Sequence, residues 1–255
     1  RTNHVLAENN YLLSSSRKVE IAKGLDMEEA WNYGASVSTY VPVFGKTLNI
    51  NAEYYYTDFL KQGVVDMDSN PHEVAFYNLD GRSYSHVFQV EASYPFFKGF
   101  TLTGAYRLTD AQTTYKGQRM EKPLTSKYKG LLTASYQTPL GIWQFDATLQ
   151  LNGGGRMPSP YELADGQLSW ERRYGSFEQL SAQITRYFRR WSVYIGGENL
   201  TNFKQKNPII DAANPWGGNF DSTMIWGPVH GAKAFLGLRF NLARNELYPL
   251  GGLEK

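Results

Sequence analysis

Trp143-Gln144-Phe145-Asp146-Ala147-Thr148-Leu149-Gln150-Leu151-Asn152 alternates without exception, apolar at odd positions and polar at even ones. Successive side chains of a β-strand point to opposite faces, so this segment carries one apolar face and one wet face. The same period runs through Leu48, Ile50, Ala52, Tyr54 and Tyr56, set against Asn49, Asn51, Glu53, Tyr55 and Thr57. It returns in Leu102, Gly104, Tyr106 and Leu108 against Thr101, Thr103, Ala105, Arg107 and Thr109, and in Phe88, Val90, Ala92, Tyr94 and Phe96 against Gln89, Glu91 and Ser93. A period of two in four separate segments predicts an all-β chain.

Alternation alone fits two architectures. A soluble β-sandwich buries its apolar faces in a core, whereas a membrane β-barrel presents them to lipid. The breaks between strands separate the two. Tight turns fall at 42–46, 97–99, 138–141 and 188–190, punctuated by Gly, Pro or a basic pair. Long breaks fall between them, at about 66–80, 113–126, 153–175 and 204–229. In an up-and-down sheet alternate connections share one end, so every tight turn lies on one side and every long loop on the other. That asymmetry belongs to outer-membrane barrels, with short periplasmic turns and long extracellular loops.

Aromatic residues give an independent argument. They make up 15% of the chain and crowd the strand ends, as at Trp31 and Tyr33, Tyr94 to Phe97, and Tyr187-Phe188 with Trp191. Rings with a polar edge settle at the lipid headgroup level and form girdles at both rims. Glu53, Glu91, Arg107, Asp146, Glu198 and Arg239 fall on the wet face, where a hydrated or plugged lumen solvates them.

Composition supports this reading by exclusion. The apolar fraction of 42% is ordinary for a soluble protein, as expected when half of every strand is polar. No run of about eighteen apolar residues marks a helical span. Net charge is +2 with the basic residues scattered, which argues against a nucleic-acid partner. The absence of cysteine removes thiolate catalysis, zinc-thiolate sites and disulfides together.

Nine strands are predicted, near 30–42, 47–65, 74–97, 99–114, 126–138, 142–153, 176–188, 191–203 and 230–242, the third with a bulge around Asp80-Gly81. Bacterial single-chain barrels close with an even number, so nine strands are expected to be a segment of a larger barrel. The first residue is Arg1, with no signal peptide, which fits the same expectation. Residues 1–28 read as an extracellular loop with its upstream strand missing, residues 29–242 as the transmembrane strands and loops, and residues 243–255 as an atypical C-terminal tail.

Several stretches resemble the TonB-dependent outer-membrane receptors, in particular the C-terminal part of their barrel. Gly196-Gly197-Glu198-Asn199-Leu200-Thr201-Asn202-Phe203 resembles the family's G-x-E-N-L-x-N stretch, and Phe235-Leu236-Gly237-Leu238-Arg239-Phe240-Asn241-Leu242 its terminal strand. Residues 1–9 resemble an outer loop, and Glu29 to Gly34 the start of the next strand. The resemblance implies an antiparallel up-and-down transmembrane β-barrel of the plugged, 22-stranded type, with no helical domain. It implies a cell outer-membrane location, an extracellular small-molecule ligand, and energy delivered by a TonB complex through an N-terminal plug. Iron chelates, haem, cobalamin and glycans are the nutrients it brings into view. Two departures stand out: the plug and its partner-binding box are not in this sequence, and residues 243–255 run past the usual terminal strand. The alternative is a soluble β-sandwich or barrel that binds carbohydrate.

Candidate ligand-binding residues are the loop aromatics Tyr161, Trp170, Trp216, Phe220 and Trp226, which could stack on a ring-shaped ligand or pack their own loops, and His4, an axial haem ligand or an ordinary loop histidine. Asp165 shares the loop of Tyr161 and Trp170. Glu53, Glu91, Arg107, Asp146 and Arg239 are candidates to face the plug, against a plain role as hydrated wall. His72, His86 and His230 show no metal-ligand spacing with one another, so no metal or cofactor is expected. No Ser/His or Asp/His set suggests a nucleophile or general base, and Gly153-Gly154-Gly155 is no phosphate cradle, so the chain is not expected to be an enzyme.

Overall fold

The computed structural model describes residues 5–163 and 166–242. His4, Asp165 and the tail 243–255 lie outside these residues. Nine strands form one antiparallel meander, each paired with its neighbours in sequence: β1 Glu29–Val43, β2 Lys46–Lys61, β3 Ser83–Phe97, β4 Phe100–Tyr115, β5 Tyr128–Gln137, β6 Trp143–Asn152, β7 Phe177–Tyr187, β8 Trp191–Glu198 and β9 Lys233–Phe240. A short strand, Gln118–Glu121, folds back on the end of β4. β1 and β9 are the two unpaired edges, so the sheet is open among the described residues.

Register carries the alternation of single strands into rows that cross the sheet. Thr39, Ile50, Ala92, Gly104, Leu132, Leu149 and Leu180 stand opposite one another in succession from β1 to β7. Ile184, Ile195 and Leu236 continue the apolar face to β9. One residue along, Asn49, Ser93, Thr103, Thr133, Thr148 and Ser181 form a polar row on the other face. Hydroxyls within it pair at 2.9 Å, Ser93 with Thr103, and at 3.2 Å, Thr133 with Thr148. A slip of one residue would exchange the faces, so the two rows fix the register together.

The apolar face is bare. Leu236 is 75% exposed, Leu238 68% and Val37 64%, and among the described residues no second sheet packs on it. The sandwich alternative therefore fails, because its apolar faces would be buried against each other. So large an exposed apolar surface needs a nonaqueous neighbour. Aromatic bands bound it. Trp31, Tyr33 and Tyr56 stack in sequence near the long-loop end, and Tyr136, Phe145 and Trp143 do so near the tight-turn end. From Trp31 to Val41 the strand rises roughly 33 Å at about 3.3 Å per residue. A tilt near 40° reduces this to about 25 Å, the height of an outer-membrane apolar band.

Tight turns close one end. Between β1 and β2 only Phe44 (φ 48°) and Gly45 (φ 75°) intervene, a two-residue hairpin loop with both residues left-handed. The long connections 62–82, 116–127, 153–176 and 199–232 lie at the other end, where segment 5–28 also enters β1. These loops hold most of the buried apolar residues: Val5, Leu12, Met67, Val74, Phe76, Met157, Tyr174 and Met224 pack as one cluster.

Three strands depart most from the sequence expectation. The second strand stops at Lys61 instead of continuing to residue 65, and the third, expected over 74–97, divides in two. Gly63–Asp66 and Glu73–Asn78 form a small sheet of their own, with Lys18–Ile21 added in parallel to the latter. Val64-Val65 and Val74-Ala75-Phe76-Tyr77 are short apolar runs that composition does not tell from wall strand, and only Asp80-Gly81, read as a bulge, marked the second break. The eighth strand ends at Glu198, not residue 203, because Asn199 (φ 50°) and Asn202 (φ 55°) turn the chain.

Candidate functional site

The loops form one layer tied by contacts distant in sequence. Arg17 is buried and pairs with Asp221; its guanidinium also donates to the Leu12 carbonyl at 2.8 Å and to the Thr223 hydroxyl at 2.9 Å. Asp221 accepts in addition from the backbone and hydroxyl of Thr223, at 2.8 and 2.7 Å. Burial draws the Arg17 pKa down and the Asp221 charge opposes it. Arg156 grips Asp68 with both terminal guanidinium nitrogens, at 2.6 and 2.9 Å, and its Nε donates to the Glu121 carbonyl at 2.6 Å. Two ion pairs thus join four of the five loop segments.

Asp66 organises the tip of loop 62–82. Burial opposes its charge, but hydrogen bonds from the Ser69 hydroxyl (2.6 Å), the backbone of Asp68 and Ser69, and the Tyr77 hydroxyl (2.8 Å) hold its carboxyl below the usual range. Asn199 closes the neck of the last loop: its amide donates to the carbonyls of Phe203 (2.8 Å) and His230 (3.0 Å), one at each end of the loop. Its side-chain oxygen accepts from the Phe203 backbone at 3.2 Å. Asn tolerates the left-handed backbone and supplies both donor and acceptor, which accounts for the Glu-Asn-Leu stretch as a structural clamp.

The candidate aromatics divide between packing and exposure. Trp226 stacks on Tyr174 with ring centres 5.2 Å apart, and lies against Phe177 and Phe203. Trp170 donates its indole N–H to the Pro158 carbonyl at 2.8 Å, and Tyr161 donates to the Asn219 carbonyl at 3.1 Å while its ring meets His72. The Phe220 carbonyl receives the hydroxyls of Ser14 and Ser16. Trp216 is 94% exposed.

A cleft of about 530 Å³ brings Trp170 and Trp226 together between loops 153–176 and 199–232. Met157, Tyr174, Phe203 and Met224 give it an apolar lining, and Arg173, Lys204 and Lys206 stand at its edge with one acid, Glu171. Arg173 shares Glu121 with Lys127, at 2.9 and 2.7 Å, whereas Lys204 and Lys206 have no carboxylate partner among the described residues. The cleft therefore offers flat apolar surface beside net positive charge, a setting for an anionic, ring-bearing molecule. Sequence reading missed these cations. The alternation Phe203-Lys204-Gln205-Lys206 beside the Asn199 turn was the available signal.

Register places Glu53, Glu91, Arg107, Asp146 and Arg239 on the polar face of the sheet. Asp146 accepts from Ser135 at 2.7 Å and Gln144 at 3.1 Å, and Glu53 from Asn51 at 3.1 Å. Glu91 and Arg107 line a shallow recess of about 370 Å³ with Lys129 and Gln150. Among the described residues no group of acidic and imidazole side chains could hold a metal ion. Among the described residues no helix is long and apolar enough to cross a membrane.

Comparison with known proteins agrees with this geometry. A family model described as TonB dependent receptor-like, beta-barrel, matches residues 8–200. No curated protein matches. Among solved structures, the FrpB iron transporter from Neisseria meningitidis (F3-3 variant) shares 13% identity over 86% of this chain and 32% of its own, with a TM-score of 0.57. The ferric-catecholate import receptor Fiu from E. coli K12 shares 15% over 82% and 27%, at 0.53, and the copper transporter OprC 13% over 86% and 32%, at 0.64. Such identities show likeness of fold alone. The chain spans between about a quarter and a third of the length of these structures.

Proposed function

This chain belongs to the TonB-dependent receptor-like β-barrel family, whose members are receptors and transporters and not enzymes, and from that premise we propose that it forms C-terminal strands of an outer-membrane importer. The observation that carries the proposal is the unbroken apolar face across nine strands, with every long loop at one end. Lipid of the outer membrane covers that face. Strands of the same barrel pair with the edges β1 and β9, and an N-terminal plug that receives energy from a TonB complex fills the interior. Segment 1–28 serves as an outer loop, residues 29–242 as wall and loops, and residues 243–255 as a tail.

Ligand enters from the loop layer. The cleft between loops 153–176 and 199–232 favours an anionic chelate with aromatic or flat groups over a neutral glycan, because Arg173, Lys204 and Lys206 outnumber Glu171 at its edge. Trp170 and Trp226 supply ring surface there, and exposed Trp216 reaches toward ligand outside it. Tyr161 and Phe220 belong to the same two loops, and His4, outside the described residues, is a further candidate by its sequence alone. Glu53, Glu91, Arg107, Asp146 and Arg239 present the polar face to the plug.

Deletion of the gene tests the proposal. Growth in metal-limited medium with a panel of ferric catecholates, ferric hydroxamates, haem, cobalamin or copper as sole supply is expected to fall for one anionic chelate, and loss of TonB should reproduce the defect. Equal growth of deletion and parent on every supply would contradict it.

A further inference from the structure

We propose that the outward rim of β3 and β4, at the long-loop end, holds the phosphorylated headgroup of an outer-leaflet glycolipid; this rests on the membrane reading above. Register puts Tyr84, His86 and Phe88 on the apolar face, because Phe88 stands between Tyr54 and Leu108. Gly81, at φ 124°, brings the chain against Thr114, which exchanges two hydrogen bonds with the backbone of Arg82, at 3.1 and 2.7 Å. The backbone of Arg82 is thereby fixed at the top of the wall. Arg119, opposite Thr114 on the fold-back strand, comes to the same place. Both guanidiniums lie over the ring of Tyr84, at 5.2 and 5.8 Å from its centre.

Arg82 also donates to the Tyr56 hydroxyl at 3.0 Å, and the two exposed guanidiniums gathered on one ring, directly above an apolar wall, fit an occupant that is anionic at one end and apolar at the other. Asp58 lies 3.7 Å from Arg82 and Asp110 is also on this face, so the patch carries little net charge and a free anion gains little from it. Arg119 has no ion-pair partner among the described residues. A planar guanidinium takes phosphate through two parallel hydrogen bonds. Acyl chains of the same molecule would lie on Phe88 and Leu108 below, which are 41% and 45% exposed. The chemistry that satisfies both ends is a sugar phosphate bearing acyl chains.

Native mass spectrometry of the protein purified from its membrane in mild detergent tests this, with diphosphoryl lipid A, the same lipid stripped of phosphate, and inorganic phosphate as probes. Arg119→Gln removes a guanidinium that forms no ion pair among the described residues and should lower retention of diphosphoryl lipid A several-fold, and Arg82→Gln with Arg119→Gln at least tenfold; Lys98→Gln, in a tight turn at the far end, should not. The stripped lipid should bind the parent protein as weakly as the intact lipid binds the double variant. Unchanged retention in the double variant overturns the proposal. Displacement by equimolar inorganic phosphate also overturns it, because the site would then hold a bare anion. Heat-modifiable electrophoretic migration, measured on the same samples, reports the barrel separately: its absence in the parent protein would defeat the membrane reading and not merely this site.

Discussion

Wall and loop layer use the same kinds of residue in opposite ways. In the wall, Leu236 and Leu238 are largely bare and side chains of the polar face hydrogen-bond one another; in the loop layer, Phe76, Leu12 and Met224 are 2% exposed or less and a charged pair is sealed among them. Under the membrane reading proposed above, the difference follows from the solvent each region meets. A wall between lipid and a wet interior needs no core of its own, because backbone hydrogen bonds are made between strands and its apolar face is solvated by hydrocarbon. Loops projecting into water must bury their own apolar surface or remain unfolded.

Cutting the loop layer at its buried charge should have the largest effect. Asp221→Ala leaves Arg17 buried and unpaired, and is expected to cost about 3–5 kcal/mol of loop-layer stability. Hydrogen exchange should then show segments 5–28 and 199–232 opening together while β1–β9 stay protected. Opening of the wall as well would mean that the two regions are not separable.

Adjacent residues in β6 sharpen the comparison from the other side. Leu149→Arg puts a charge on the apolar face in the middle rows and is expected to cost about 2–4 kcal/mol. Gln150→Arg, one residue on and facing the other way, should cost little. Unfolding in bilayers by urea distinguishes them, and equal costs would deny that the two faces meet different solvents.

The wall was legible in the sequence because one apolar and one polar face impose a period of two within each strand. Ten consecutive residues of β6 obey it without help from any other part of the chain. The loop layer was not legible because its contacts have no local period. Arg17 and Asp221 stand 204 positions apart, and Lys18–Ile21 pairs in parallel with Glu73–Phe76 across more than fifty. Trp226 and Trp170 were visible as aromatics, but nothing near them in sequence showed that Tyr174 and Pro158 would engage them. The cations at the cleft edge belong to two loops that meet only in three dimensions.

Smaller effects probe how the layer is attached. Asn199→Ala removes both donors that close the neck of loop 199–232 and leaves carbonyls unsatisfied, for about 1–3 kcal/mol. Limited proteolysis within that loop should accelerate, with no change at the tight turns. Asp66 gives the smallest and most reversible effect. Its folded pKa lies below its unfolded value, near 3.9, so its contribution is present above that value and is lost as pH falls through the folded one. Protease sensitivity at loop 62–82 should therefore be flat near neutrality and rise below about pH 4, and Asp66→Asn should flatten the profile.

The central claim is that the apolar face of the sheet is solvated by lipid and its other face by water. Because the chain has no cysteine, single cysteines can be placed one at a time from Trp143 to Asn152 and spin-labelled in the protein reconstituted into bilayers. The account predicts that collision with oxygen peaks at odd positions and collision with a water-soluble nickel chelate at even ones, with a period of two along the strand. Odd positions shielded from both reagents would place the apolar face against protein and contradict it.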